Sequence, residues 1–166
     1  MILLAALLQG GTVADLDAEL RAANSATAVI QKRCAVPIRA EVDRTAEKAA
    51  SGQVKADLGA GEDTRLVYRL VRLTCGDVVY SRAENWYRPD RLTEAMNRAL
   101  LSGDTPFGVV IKPLAPTRRT LATEFPDEKN AILRHRAVVL SGQGAPLAEV
   151  VETYTPALPL AAPPIR

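Results

Sequence analysis

Apolar and polar positions alternate most clearly near the C-terminal end of the chain. Ile132-Leu-Arg-His-Arg-Ala-Val-Val-Leu140, a Ser-Gly-Gln-Gly-Ala-Pro turn and Leu147-Ala-Glu-Val-Val-Glu152-Thr-Tyr-Thr-Pro156 read as a hairpin. Glu152 lies among Val150, Val151 and Tyr154, a β-branched setting that favours a strand covered on both faces. A second apolar strand, residues 65–73, carries Arg69, and a turn at Gly76-Asp77 leads into a return strand over 78–87. A buried carboxylate needs a partner, and Arg69 is the candidate for Glu152. One acid and one base in so small a sheet point to a polar pocket.

Elsewhere the period changes. Residues 12–36 repeat apolar positions near 3.6 (Val13, Leu16, Leu20, Ala23), with Asp15 and Asp17 early and Lys32-Arg33 late, and predict one helix stopped by Pro37. Residues 38–42 and 53–58 read as edge strands. A helix is expected over 91–101, with Leu92, Ala95, Met96, Ala99 and Leu100 on one face, then a short strand over 109–112. Residues 117–130 have no clear period. The pattern is a single α+β unit spanning residues 1–166, dominated by an antiparallel sheet.

Composition is ordinary for a globular domain, 48% apolar and 24% charged, and the net charge of +2 is too small to suggest nucleic acid. Aromatic residues for base stacking are few, with one Trp, four Tyr and two Phe. Cys34 and Cys75 lack metal-binding spacing and His135 is the lone histidine, so neither a metal nor a cofactor is expected. Two buried thiols are the default reading of the cysteines, and a Cys34–Cys75 disulfide is open only if the chain is exported. Residues 1–8 are apolar enough for a signal-peptide core, with residues 1–10 then a remnant. They lack a basic n-region and a clear cleavage site and are far too short to span a bilayer. The expectation is a cytoplasmic monomer, without stable membrane insertion, whose residues 1–9 join the first helix. The alternative is a periplasmic or secreted chain.

Three pieces stand in order: the Arg69 strand, the turn Gly103-Asp-Thr-Pro-Phe-Gly108, and the strand 147–156. With Trp86-Tyr-Arg-Pro89 ending the return strand, Leu140-Ser-Gly142 and Pro146-Leu147 in the closing hairpin, and Asn24-Ser-Ala-Thr27 upstream, the chain resembles the chorismate lyase (chorismate pyruvate-lyase) family. The match covers most of residues 15–160, and only its order is distinctive. The resemblance implies an antiparallel sheet with helices on one side around an internal ligand cavity. It also implies removal of pyruvate from chorismate to give 4-hydroxybenzoate, as in ubiquinone biosynthesis. Arg69 would hold the carboxylate of an aromatic or cyclohexadienyl ligand, Glu152 would meet the hydroxyl end as the acid, and the main chain at Phe107 and Ala26 would complete the contacts. A guanidinium grips a carboxylate bidentately, and a carboxyl group beside the ether oxygen can share a proton as the ring becomes aromatic. Phe107 stands where the family has Leu and would narrow the cavity, whereas Ala26 replaces a larger residue and would open it.

Other residues carry plainer expectations. His135 alternates with Leu133 and Ala137 and is expected on the solvent side; Arg118-Arg119 is expected as a solvated loop pair with a flap contact as the alternative; Trp86-Tyr87 is expected as core packing. Ser25 and Thr27 have no accompanying base and read as helix-local hydroxyls. Two functions stay open: a lyase, or a non-catalytic small-molecule-binding domain like the effector domains of bacterial regulators, which share the fold the resemblance implies. The absence of a helix-turn-helix pattern in the roughly 65 residues before the Arg69 strand favours the lyase.

Overall fold

The structure is a computed structural model that describes residues 10–164, so the expectation for residues 1–9 lies outside the described residues. Six antiparallel strands form one sheet in the order β1-β2-β3-β6-β5-β4: β1 Arg39–Asp43, β2 Val67–Cys75, β3 Val78–Tyr87, β4 Thr117–Glu124, β5 Leu133–Leu140 and β6 Pro146–Tyr154. The two hairpins foreseen from the alternating patterns meet as β3 against β6 at the centre, with Asn85 opposite Val150 and Ala83 opposite Glu152.

Helices α1 (Val13–Ala22), α2 (Ala26–Gln31), α4 (Glu94–Ser102) and α5 (Phe107–Val110) cover one face of the sheet. Leu16 and Leu20 of α1 and Val29 and Ile30 of α2 bury against Leu133 and Tyr154, whereas Met96, Leu100 and Phe107 bury against Tyr87 and Ala148. On the opposite face α3 (Gly52–Asp57) packs Val54 and the following Leu58 on Trp86. No helix among the described residues is long and apolar enough to cross a membrane.

Four sequence expectations change. The helix over 12–36 is two helices, because Ser25 leaves the helical region and its hydroxyl accepts from the Ala28 amide, capping α2. Residues 53–58 are helix α3 rather than an edge strand, started by Ser51, whose side chain accepts from Val54 N. The β-branched run at 109–112 forms the helical turn α5 and a following 3-10 turn instead of a strand. Residues 117–124 are strand β4, whose alternation is interrupted by a bulge between Thr120 and Ala122.

The cysteines also depart from expectation. Cys34 and Cys75 are a disulfide rather than two thiols, joining the turn after α2 to the end of β2 across a separation of 41 residues. Both pack against the apolar cluster under α1 and α2. The sequence distance concealed that α2 lies directly over the β2–β3 hairpin.

Candidate functional site

Strand register sets out the site as rows of side chains facing the helices. Arg69 of β2, Asn85 of β3, Val150 of β6 and Ala137 of β5 make one row; Val71, Ala83, Glu152 and His135 make the next. Above them lies a cavity of about 60 Å³ lined by all of these residues except the β5 pair Ala137 and His135, together with Ala26 and Thr27 of α2, Phe107 and Gly108 of α5, and Arg118 of β4. All four residues singled out from the sequence, Arg69, Glu152, Phe107 and Ala26, line it. Gly108 permits the close approach of α5 to α2: a Cβ there would stand 3.0 Å from Ser25 Oγ and 3.2 Å from Thr27 Oγ1.

Arg69 does not pair with Glu152. Its side chain is 5% exposed, and Nε and Nη2 are buried without a partner among the described residues. Burial, reinforced by the nearby Arg44 charge, draws its pKa below the ordinary arginine value, although a guanidinium remains protonated at neutral pH. The Asn85 Oδ1 beside it is likewise buried and unpartnered. Arg72, three residues on, faces the other way and pairs with Glu41 at 2.7 Å on the surface, as the strand period requires.

The partner of Glu152 is Arg118. Its Nη2 donates to Glu152 Oε2 at 2.5 Å, and Tyr154 Oη donates to the same oxygen at 2.9 Å. Arg118 is therefore no solvated loop residue; its side chain is 2% exposed and is also held by Thr120 Oγ1 at 2.9 Å and the Leu20 carbonyl at 3.3 Å. The alternation of Arg118 with Thr120 was the available signal, and the bulge one residue later hid it. Two oppositely charged groups thus share the cavity wall already neutralised, and Arg69 supplies an uncompensated positive charge.

His135 is also inside, with no exposed surface, rather than on the solvent side. Arg118 Nη2 lies 3.3 Å from its Nδ1 and Asp17 Oδ1 lies 2.7 Å from its Nε2. Because a guanidinium only donates, Nδ1 must accept, and Nε2–H donates to Asp17 of α1. The neutral ring thereby joins α1 to the Arg118–Glu152 pair. Burial, aided by the Arg118 charge and opposed by Asp17, lowers the His135 pKa from 6.5. Stability from this group is present above pH 6.5 and declines as pH falls toward the folded-state value, because the unfolded chain takes up the proton first. Denaturant titrations from pH 7.5 to 5.5 should show a loss of up to about 1.4 kcal/mol per pH unit. His135→Gln, which can still donate and accept, should flatten that slope; an unchanged slope would refute the assignment.

Glu149 occupies the opposite face from Glu152, as alternation requires, but it is buried there and accepts from Arg136 at 3.1 Å. Burial raises its pKa above the usual carboxylate value. Trp86 and Tyr87 pack on opposite faces of the sheet as core residues.

No family model matches the chain. It is 34% identical over 131 residues to the uncharacterized protein y4mC of Sinorhizobium fredii, a match that covers 66% of this chain and 55% of y4mC. The chain therefore spans about half the length of this curated relative. Among solved structures, PhnF from Mycobacterium smegmatis superposes with a TM-score of 0.58 at 10% identity, over 82% of this chain and 65% of PhnF. The fold is that of regulator effector domains. The ligand-binding domain of a putative GntR-family transcriptional regulator from Bordetella bronchiseptica matches at TM-score 0.52 and 10% identity, over 78% of this chain and 89% of that one. The C-terminal domain of histidine utilization repressor from Pseudomonas syringae pv. tomato gives TM-score 0.52 at 12% identity, with coverages of 78% and 99%. At these identities the likeness concerns the fold, and the site must be argued from its own residues.

Proposed function

We propose that the chain is a small-molecule-binding domain whose cavity takes a monocarboxylate. The observation that carries this reading is Arg69, a guanidinium buried at the cavity wall with two nitrogens unpartnered among the described residues. Such a group is costly unless a ligand supplies the missing charge. The fold of the GntR-family ligand-binding domain supports the same reading. The cavity of about 60 Å³ is well under the ~150 Å³ that accepts benzene, so a six-membered ring requires α2 and α5 to part at Ser25 and Gly108.

Titrating the protein with acetate, benzoate and 4-hydroxybenzoate tests the proposal, and Arg69→Ala should weaken any binding by roughly 10²-fold. Arg72→Ala should leave it unchanged. Carboxylates bound as tightly by Arg69→Ala as by the wild type would remove the basis for the proposal.

The position of Glu152 on the same cavity as Arg69 favours a second reading, lyase chemistry on chorismate. The ether C–O bond would break as the ring loses a proton, giving pyruvate and 4-hydroxybenzoate. Glu152 is the candidate proton carrier and Arg69 the carboxylate anchor. Pyruvate release from chorismate, lost in Glu152→Gln, is the expected result under this reading; no release from folded wild-type protein excludes it.

The Cys34–Cys75 disulfide supports work in an oxidising compartment, where such bonds persist. Protein isolated from its native host under alkylating conditions should then show both cysteines protected and a mass two hydrogens lower. Two alkylated thiols would favour the cytoplasm.

A further inference from the structure

We infer that the cavity selects carboxylates bearing a hydroxyl on the adjacent carbon, with Asn85 as the residue that reads it. This rests on the monocarboxylate reading of Arg69 and extends it to a ligand class.

Arg69 and Asn85 are direct partners across β2 and β3, so their Cβ atoms lie about 5 Å apart on the same face. Both side chains are at least nine-tenths buried, and both line the cavity. A carboxylate held by Arg69 therefore lies beside Asn85 Oδ1, which is buried and unpartnered among the described residues. Two acceptors face each other there. A simple carboxylate would leave Oδ1 without a donor, and a 2-oxo group would add a third acceptor; a 2-hydroxyl supplies the missing hydrogen.

A 2-ammonium group could also donate, but charge opposes it. The cavity wall already holds Arg69 and Arg118 against the single carboxylate of Glu152. An ammonium would be a third cation in a dry site, where like charges repel strongly. The ligand's one negative charge balances Arg69, and its donor must then be neutral. The volume agrees: about 60 Å³ suits a short hydroxy acid of a few heavy atoms without displacement of α2 or α5.

Lactate, propionate, pyruvate and alanine differ at this one position and serve as probes. Each is titrated into the full chain with its disulfide intact, by calorimetry or ligand-observed NMR. Lactate should bind at least about ten-fold tighter than propionate or pyruvate, and alanine weakest. In Asn85→Leu, which removes the acceptor at similar volume, the lactate preference over propionate should fall to within about two-fold. Equal binding of propionate and lactate by the wild type overturns the hydroxyl selection but leaves the monocarboxylate reading standing. So does 4-hydroxybenzoate binding without lactate. If none of these acids binds, both readings fall together.

Discussion

Glu152→Ala is expected to lower the unfolding free energy by about 3–5 kcal/mol, the cost typical of breaking a buried ion pair from one side. The change leaves the Arg118 guanidinium, 2% exposed, without its 2.5 Å carboxylate, and leaves the Tyr154 hydroxyl without its acceptor. For a domain of this size the loss corresponds to roughly ten degrees or more in Tm. Glu152→Gln retains an acceptor for both donors and should lose less. The double variant Glu152→Leu with Arg118→Met removes both charges and should be milder than the sum of the single changes, because no orphaned charge remains. Urea unfolding of these variants, with the single changes Glu152→Leu and Arg118→Met completing the cycle, reads this directly. A loss below about 1 kcal/mol for Glu152→Ala would mean that Arg118 finds water or another partner, and the cavity wall would need redrawing.

Reducing the Cys34–Cys75 bond should cost about 4 kcal/mol, from the loop entropy released in the unfolded chain at a separation of 41 residues. The bond holds the turn after α2 to the sheet, and α2 carries Ala26 and Thr27 of the cavity. Ligand binding should therefore weaken on reduction along with stability. Cys34→Ser and Cys75→Ser should behave alike, and neither should respond to reductant. A wild-type urea midpoint insensitive to reductant would show that the bond adds nothing to the folded state.

Arg69 and Glu152 both face the cavity, as their strand patterns suggest, but they are not partners. Period-2 alternation assigns a side chain to a face, yet says nothing about which strands become neighbours. Arg69 and Glu152 stand two strands apart and in different rows, with β3 between them. The residue that does reach Glu152 comes from β4 at the far edge, in a segment whose bulge spoils its alternation. The strand pattern alone leaves His135, between Leu133 and Ala137, free to face solvent or core, and only Asp17 of α1, a partner 118 residues away, distinguishes the two.

Local chemistry determined the parts that depend on near neighbours: the two hairpins, their turns, the face of Arg69 against Arg72, the opposition of Glu149 and Glu152, and the antiparallel α+β class. These follow from backbone geometry that repeats every two residues and from turn residues adjacent in the chain. The pairing of Cys34 with Cys75, the Arg118–Glu152 ion pair, the burial of His135 and the unpartnered state of Arg69 and Asn85 were decided only by tertiary structure. Each depends on how distant elements stack over one sheet, and a buried charge or thiol takes its partner from whatever that stacking brings within a few ångströms.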